Sequence, residues 1–403
     1  MTFEELGLHP EILEAIEYMG FEKATEIQER AIPLILQNKD LLGSAQTGTG
    51  KTAAFILPVL HQMIVNKKEG LNTLVIVPTR ELAKQIDQQI QGFSYFIPVS
   101  SQTIYGGGST DWEMQKKALK GGVDIVVATP GKFISHLNMG YVQLDNLEHL
   151  ILDEADRMLD MGFVDDIMKI ISYLPKNRQT LMFSATMPSK IKKLAEQILT
   201  DPEEITLALS KPAEGVLQGA YLVHSSQKMD LINHLITDKP DYASILIFSS
   251  TKKNVLEIVR SLKAKGFDAE GISSDYDQTQ REAVLSKFRA KRIRILVATD
   301  VLSRGIDVKD INLVINFDVP GNAEDYVHRV GRTARAKTTG VALTFINERD
   351  MSDFADIEKL IERQVLKLPL PKGFDKGPEW RVKKRGSFKG RKKNYSGKHR
   401  KKR

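Results

Sequence analysis

The chain has 403 residues, 41% of them hydrophobic and 27% charged, with a formal net charge of +7 and no cysteine. That length predicts two or three domains with sizeable cores, and the missing cysteine excludes disulfides, zinc-thiolate sites and thiol catalysis and fits a reducing, cytoplasmic compartment. The N-terminal stretch carries acids and lacks an apolar signal-peptide core, and no apolar run approaches the roughly 18 residues that span a bilayer.

The first chemically loaded segment is AQTGTGKT, from Ala45 to Thr52. It follows the apolar run DLLGS and precedes the helix-like AAFILPVLHQMI, which is the strand–loop–helix setting a phosphate-binding loop requires. Gly48 and Gly50 let backbone N–H groups approach phosphate oxygens, and the next helix turns its positive end toward them. Lys51 reaches the β- and γ-phosphates, and the Thr52 hydroxyl binds Mg²⁺. Ala45 stands where the generic pattern has glycine.

Further along, short apolar runs end abruptly in polar punctuation. LNTLVIV runs into PTREL, VDIVVA into TPGK, HLIL into DEAD and TLMF into SAT. After the aperiodic LALSKPAEGVLQ the pattern resumes: SILIF leads to SST, IRILVA to TDVLSRG and NLVINF to DVP. Runs buried on both faces predict parallel strands, and the helix-like segments between them predict right-handed crossovers. The expected fold is therefore α/β, with two parallel-sheet domains. Their bounds are 1–206 and 219–367, with a linker over 207–218 and a tail over 368–403. Ligands bind outside the carboxyl ends of such strands, where the polar stretches fall.

DEAD sets Asp153 beside Glu154, with Asp156 one residue further on, at the end of an apolar strand. Neighbouring carboxylates repel, and a Mg²⁺ ion on nucleotide phosphates relieves that repulsion. Asp153 then holds the metal through water, because Mg²⁺ dehydrates reluctantly. Glu154 orients and deprotonates the attacking water. Asp156 either pairs with a base of another motif or is a solvated acid in the first turn of a helix. Ser184 and Thr186 offer hydroxyls that can bridge to Asp156 or to the metal-site acids, and the same hydroxyls can also cap the helix that follows.

The net charge is concentrated at one end. From Trp380 to Arg403 there are 13 Lys or Arg and no acid, so the remainder carries 58 − 13 = 45 basic against 51 acidic residues. Such a tail is expected to be disordered. Trp380, Phe388 and Tyr395 among the cations offer base stacking beside phosphate pairing, so RNA contact is expected of it.

Taken together, AQTGTGKT, PTREL, Gly107-Gly108, TPGK, DEAD, SAT, ATDVLSRGID and HRVGRTAR resemble the DEAD-box RNA helicases, over roughly Phe3 to Ile346. GFEKATEIQ (Gly20 to Gln28) is similar to that family's Q motif. The minimal core and basic tail resemble the bacterial RhlE-like subgroup. The resemblance implies two RecA-like domains that close over ATP and single-stranded RNA, and an RNA-stimulated ATPase that opens short duplexes. It implies that nucleotide is held by Phe21, Gln28, Ala45, Gln46, Thr47, Gly48, Thr49, Gly50, Lys51, Thr52 and Asp307, with Phe3 as an upstream aromatic. In HRVGRTAR, Arg329, Arg332 and Arg335 recur every three residues, so one helical face carries all three. The resemblance gives Arg332 and Arg335 the arginine-finger role on the γ-phosphate.

RNA contacts are implied for Pro78, Thr79, Arg80, Gly107, Gly108, Thr129, Pro130, Gly131 and Lys132 in the first domain. In the second they are Thr251, Gln278, Arg281, Thr299 and Arg304. Ala24 replaces the family's usual proline, Lys132 its usual arginine, Ala334 its usual glycine, and Ser273-Ser274 its usual His-Gly. Lysine at 132 keeps the charge and loses the planar fork. Two other readings use the same features. One is a nucleotide-gated RNA clamp or annealing chaperone with little unwinding, and the other is a P-loop DNA translocase.

Overall fold

The computed structural model describes residues 1–45, 48–106, 110–207, 216–273, 276, 278–299, 311–333 and 340–382. Their strands form two seven-stranded sheets. The first contains β1 (Leu41–Ser44), β2 (Thr73–Ile76), β3 (Ser101–Ile104), β4 (Ile125–Ala128), β5 (His149–Leu152), β6 (Gln179–Ser184) and β7 (Glu203–Thr206). The second contains β8 (Val216–Leu222), β9 (Ile245–Phe248), β10 (Ala269–Ile272), β11 (Ile295–Ala298), β12 (Leu313–Asn316), β13 (Gly340–Ile346) and β14 (Leu366–Leu368). Spatial order is β3-β4-β2-β5-β6-β1-β7 in one and β10-β11-β9-β12-β13-β8-β14 in the other. Subtracting seven from each label of the second reproduces the first, so the two lobes share one topology.

Every pairing between these strands is parallel, as the two-sided apolar runs require. Alternate residues feed opposite faces of the sheet. In the first lobe Val75, Val127, Ile151 and Leu181 join one core, while Leu74, Val126, Leu150 and Met182 join the other. In the second lobe Ile247, Val297 and Ile315 face one way, and Leu246, Leu296 and Val314 the other. Helices cover both faces, and two of them start at a threonine cap. Thr79 Oγ1 accepts from Leu82 N at 3.4 Å to open the helix Arg80–Phe93, and Thr251 Oγ1 accepts from Asn254 N at 3.1 Å to open Lys252–Ala264. These threonines occupy equivalent places, after β2 and after β9.

β8 begins at Val216, so the last three residues of the 207–218 stretch belong to the second sheet. Beyond β14 the chain folds back on the second lobe. Gln227 Nε2 donates to the Asp375 carbonyl at 3.0 Å, and Trp380 meets Phe354 edge to face at 6.2 Å. Lys367 Nζ lies 4.6 Å from the Trp380 ring centroid. The first aromatic of the expected basic tail is thus packed on the domain. Phe388, Tyr395 and the cations from 383 onward lie outside the described residues.

Candidate active site

All strands of a parallel sheet present their carboxyl ends on one edge, so strand order decides which motifs become neighbours. In the first lobe Ser44 pairs with Ser184, Met182 with Leu152, Leu152 with Ile76, and Ile76 with Ala128. The glycine loop after β1 therefore lies beside SAT after β6, SAT beside DEAD after β5, DEAD beside PTREL after β2, and PTREL beside TPGK after β4. Phosphate chemistry sits toward one end of the edge and the expected RNA contacts toward the other. The carboxylates are between them.

Gly48 and Gly50 have φ of 90° and 93°, a region that L side chains rarely occupy. A Cβ on Gly50 would come 2.4 Å from Gln28 Nε2. That close approach lets the buried Gln28 amide lock the loop: Nε2 donates to the Gly50 carbonyl at 3.1 Å, and Oε1 accepts from Thr25 N at 2.9 Å. The amide keeps a second proton and a second lone pair for another partner. Phe21 is 38% exposed, lines the cleft, and leans on Phe93 at 5.7 Å. Phe3 is 4% exposed and belongs to the core, not to the cleft.

Lys51 opens the helix Lys51–Asn66 and is buried. Its Nζ donates to the Ala45 carbonyl at 2.8 Å and stands 4.0 Å from Asp153 Oδ1. Burial pushes the Asp153 carboxyl up to about 6; Lys51 opposes this, and the neighbouring charges of Glu154 and Asp156 add to it. Burial also acts to raise Glu154, but Arg157, Lys51 and Arg332 outweigh it and hold that carboxyl below its ordinary value. Arg157 Nη1 donates to Glu154 Oε2 at 3.1 Å. Glu154 has φ 53° and ψ 49°, a left-handed conformation that costs a non-glycine residue about 1–3 kcal/mol. Strain of this kind at the turn after β5 turns the carboxylate toward the cleft.

Asp156 finds its partner in another motif, but that partner is a threonine and not a base. Its Oδ2 accepts from Thr186 N at 3.1 Å and from Thr186 Oγ1 at 3.0 Å, while Asp156 N donates to Ser184 Oγ at 3.3 Å. Ser184 Oγ in turn donates to the Thr186 carbonyl at 2.7 Å. The following helix starts at Ser189 after Pro188, so neither hydroxyl caps it. SAT is bonded to DEAD instead.

The cleft, about 370 Å³, is lined by Phe21, Gln28, Lys51, Thr52, Asp153 and Glu154 from the first lobe and by Arg332 from the second. The helix Ala323–Val330 ends before Arg332, so HRVGRTAR does not place its arginines on one helical face. Arg329 is buried, donating to the Asp318 carbonyl at 2.7 Å and Asn316 Oδ1 at 3.3 Å, with its guanidinium 5.1 Å from the Phe248 ring centroid. It braces the second lobe while Arg332 reaches the cleft. A larger cavity, about 1110 Å³, opens at the amino ends of the first sheet's strands, near Val99, Leu71 and Asp124. Parallel sheets do not bind their ligands at that edge.

On the other half of the edge, Thr129 precedes the helix Pro130–Leu137, with Pro130 at its first position. Gly131 and Lys132 follow in the first turn. Thr79 and Arg80 lie one strand away, and a Cβ on Gly106 would be 3.6 Å from Arg80 Nη2, so Arg80 leans over the turn that leads to Gly107. In the second lobe Thr251 follows β9, Thr299 follows β11, and Arg281 is on the helix Gln278–Arg289. That helix meets the first lobe: Glu282 Oε1 accepts from Lys84 Nζ at 2.7 Å. Gln46, Thr47, Gly107, Gly108, Arg304, Asp307 and Arg335 lie outside the described residues, as does the Gln278 side chain.

Arg157, Lys84 and Glu282 escape the sequence reading. For Arg157 a signal existed, because it stands three residues after Glu154, a spacing that brings side chains together on a helix. Lys84 and Glu282 are 198 residues apart, and no local pattern announces their meeting.

Residues 25–194 match the DEAD/DEAH box helicase family, and residues 227–337 match the helicase conserved C-terminal domain. The chain is 44% identical over 372 residues to the DEAD-box ATP-dependent RNA helicase CshA of Geobacillus kaustophilus, covering 92% of this chain and 79% of that protein. It belongs to the DEAD-box helicases. CshA of Bacillus subtilis is 42% identical, with 92% and 74% covered. These relatives are CshA proteins, so the RhlE-like subgroup expected from the minimal core and basic tail finds no support among them. Among solved structures, Saccharomyces cerevisiae Dbp5 bound to RNA and ADP BeF3 matches the helicase with a TM-score of 0.81 at 30% identity, covering 92% of this chain and 96% of that one. A DEAD box protein from the hyperthermophile Methanococcus jannaschii, at 40% identity and with 92% and 99% covered, gives only 0.53.

Proposed function

We infer that this helicase hydrolyses ATP in response to RNA and uses lobe closure to open short duplexes locally. One observation carries the mechanism: Arg332 of the second lobe lines the same cleft as Lys51, Asp153 and Glu154 of the first. A γ-phosphate placed there touches both lobes, so nucleotide stabilises the closed arrangement. RNA laid across the TPGK and PTREL side of one lobe and the Thr251, Arg281 and Thr299 side of the other does the same. Two ligands that favour one state are reciprocally coupled. The lobe arrangement supports this reading. The higher TM-score belongs to the RNA- and nucleotide-bound Dbp5, although its sequence is the less similar of the two structures.

The chemistry is divided among the chain's own groups. Lys51 and the glycine-loop N–H groups hold the phosphates. Glu154, kept ionised by Arg157, takes the proton of the attacking water, and Arg332 meets charge developing on the γ-phosphoryl oxygens. Asp153 is a dry carboxylate with two acidic neighbours and only one lysine near it, a donor set that a hard cation stabilises. Among the described residues no cluster of three His, Cys, Asp or Glu forms a metal cage. That suits Mg²⁺, which takes one or two carboxylates and completes its shell with phosphate and water. Thr52 and Asp153 would hold it, and it would neutralise phosphate charge. Asp156, bonded to Thr186, passes changes at DEAD on to SAT. Bending of the RNA backbone is incompatible with a continuing duplex, so the duplex opens where the protein closes.

The tail beyond 382 is proposed to add sequence-independent phosphate contacts. No helix among the described residues is long and apolar enough to cross a membrane. A cytosolic site of action is proposed on the cysteine-free composition.

ATPase rates with and without single-stranded RNA test the coupling, and equal rates refute it. Strand displacement with ATP against a non-hydrolysable analogue separates unwinding from clamping or annealing. Unwinding is expected with ATP and a low yield with the analogue.

A further inference from the structure

Lys132 differs from a fork-shaped arginine in having a point charge on a flexible stem, which loses much rotamer freedom when fixed. In this protein the stem is not left to wander. Its Nζ lies 4.3 Å from the ring centroid of Trp112, on the helix Thr110–Gly121 that follows Gly107-Gly108. The His136 ring, one turn further along Lys132's own helix, stacks on the same indole at 4.1 Å with 12° between planes.

His136 is fully buried and bonded at both nitrogens. Gln115 Nε2 donates to the Tyr105 carbonyl at 3.0 Å, which leaves Gln115 Oε1 facing His136 Nε2 at 3.0 Å as an acceptor. His136 Nε2 therefore carries the proton, and Nδ1 accepts from the Tyr141 hydroxyl. Burial first, and Lys132 second, push this imidazole down to about 4, so it stays neutral and fills both roles. The chain of bonds runs from Tyr141 through His136 and Gln115 to Tyr105, which directly precedes Gly106 and the expected RNA turn. No part of this bracket lies in the nucleotide cleft.

We propose that Trp112 is a positioning residue for RNA, holding the Lys132 ammonium over its indole and, through its stack with His136, tying the TPGK turn to the Tyr105–Gly106 turn. Lys132 is thereby pre-aimed at a backbone phosphate, and the rotamer freedom that arginine's planar fork would have spared is already spent before RNA arrives. The proposal rests on the RNA-interface reading above.

The test uses the full chain and RNA-stimulated ATPase titrated with an oligouridylate. A half-buried cation–π contact of this kind implies a rise of about twofold to fivefold in half-saturating RNA for Trp112→Ala, with half-saturating ATP unchanged. Trp112→Phe, which keeps an aromatic face, is expected to recover most of the loss. The Trp112→Ala, Lys132→Ala pair is expected to lose less than the product of the two single effects, since part of Trp112's action runs through Lys132. Additive effects, or an unmoved RNA titration for Trp112→Ala, overturn the proposal.

A second arm does not depend on the alanine variant folding. Only Trp112 and Trp380 are tryptophans, so in a Trp380→Phe background the emission reports on Trp112 alone. Lys132→Ala is expected to shift that emission without RNA present, and an identical spectrum rules the contact out. If RNA fails to stimulate the unaltered protein, the RNA-interface reading falls. If RNA stimulates and the variants are additive, this proposal falls alone.

Discussion

The two lobes repeat one design with opposite outcomes at one position. In each, the helix that follows the first strand begins with a buried lysine, and that lysine faces an acid at the end of the fifth strand. In the first lobe these are Lys51 and Asp153, 4.0 Å apart. In the second they are Lys228 and Asp318, 3.2 Å apart. Around Lys228 the protein supplies every partner. Its Nζ donates to the Phe317 carbonyl at 2.6 Å, Asp350 is 3.8 Å away, and the Phe317 ring centroid is at 5.1 Å. Asp318 accepts from Ser249 Oγ at 2.7 Å, Ser250 N at 2.9 Å and Ser250 Oγ at 3.0 Å. Burial alone would raise its carboxyl, but Lys228 and these donors bring it below its ordinary value. Asp153 has no such set, and its carboxyl is pushed up instead. The glycine loop that leaves room for phosphate in the first lobe has no counterpart before Lys228, where the chain makes a short 3-10 turn (Ser225–Gln227) instead. One topology thus gives a satisfied ion pair that stabilises and an unsatisfied one that awaits a ligand.

The comparison breaks most visibly at Arg332, the second lobe's contribution to the first lobe's chemistry. Arg332→Ala should lower RNA-saturated turnover by about 10³-fold or more, as loss of an arginine finger does elsewhere. Single-turnover hydrolysis is the measurement, and a loss within tenfold would mean that the second lobe does not stabilise the transferring phosphoryl. The lysines come next. Lys228→Met leaves Asp318 buried without its main counter-charge, which costs about 3–5 kcal/mol. Lys51→Met is expected to abolish hydrolysis with a smaller loss in melting temperature, because Asp153, already pushed up to about 6, takes a proton and sheds its charge at little cost. Thermal melts and ATPase rates of the two variants side by side check this; equal melting losses would erase the distinction between the lobes.

Why some of this was legible in the sequence and some was not follows from range. A strand buried on both faces announces itself by composition, so HLIL and IRILVA were readable, and so were the polar ends where ligands bind. The glycine loop was readable because only glycine adopts the φ of residues 48 and 50 without strain. Arg329 was expected to share one helical face with Arg332, but its helix stops at Val330 and its partners, Asn316 and Asp318, come from the neighbouring strand end. Nothing local marks Lys228, since Asp318 and Asp350 lie 90 and 122 residues later. Trp380 looked like part of a free basic tail, and its contacts with Phe354 and Lys367 depend on how β14 pairs with β8. Phe3, matched by resemblance to an upstream aromatic, packs in the core.

Acid offers a gentler probe of the first lobe. His149 is buried in β5 with Nδ1 at 3.1 Å from Gln179 Oε1, and burial pushes its imidazole from 6.5 down to about 4. Between those values the unfolded chain binds a proton that the folded one refuses. Stability from this group is therefore complete above pH 6.5 and is lost as pH falls toward 4, by as much as about 3 kcal/mol. His149→Gln cannot titrate, so denaturation followed against pH should show a flatter acid limb than the unaltered protein. Identical slopes would mean that the imidazole charges inside the fold.

The smallest effect is expected where the lobes touch in water. Lys84 and Glu282 are each about half exposed, with side-chain accessibilities of 42% and 47%. Glu282 supports Lys84's proton against partial burial, with help from Tyr105, whose ring centroid is 5.4 Å away. Exposed pairs of this kind contribute about 0.2–1 kcal/mol. Lys84→Glu sets two acids against each other and should weaken closure only a few-fold, seen as a lower closed fraction by fluorescence transfer between labelled lobes with nucleotide and RNA bound. Reversing both charges restores the attraction, so Lys84→Glu with Glu282→Lys should recover the closed fraction, and added salt should erase the difference among all the forms. If the double reversal stays open, the bridge is a by-product of closure and the cleft around Arg332 must supply the closing energy unaided.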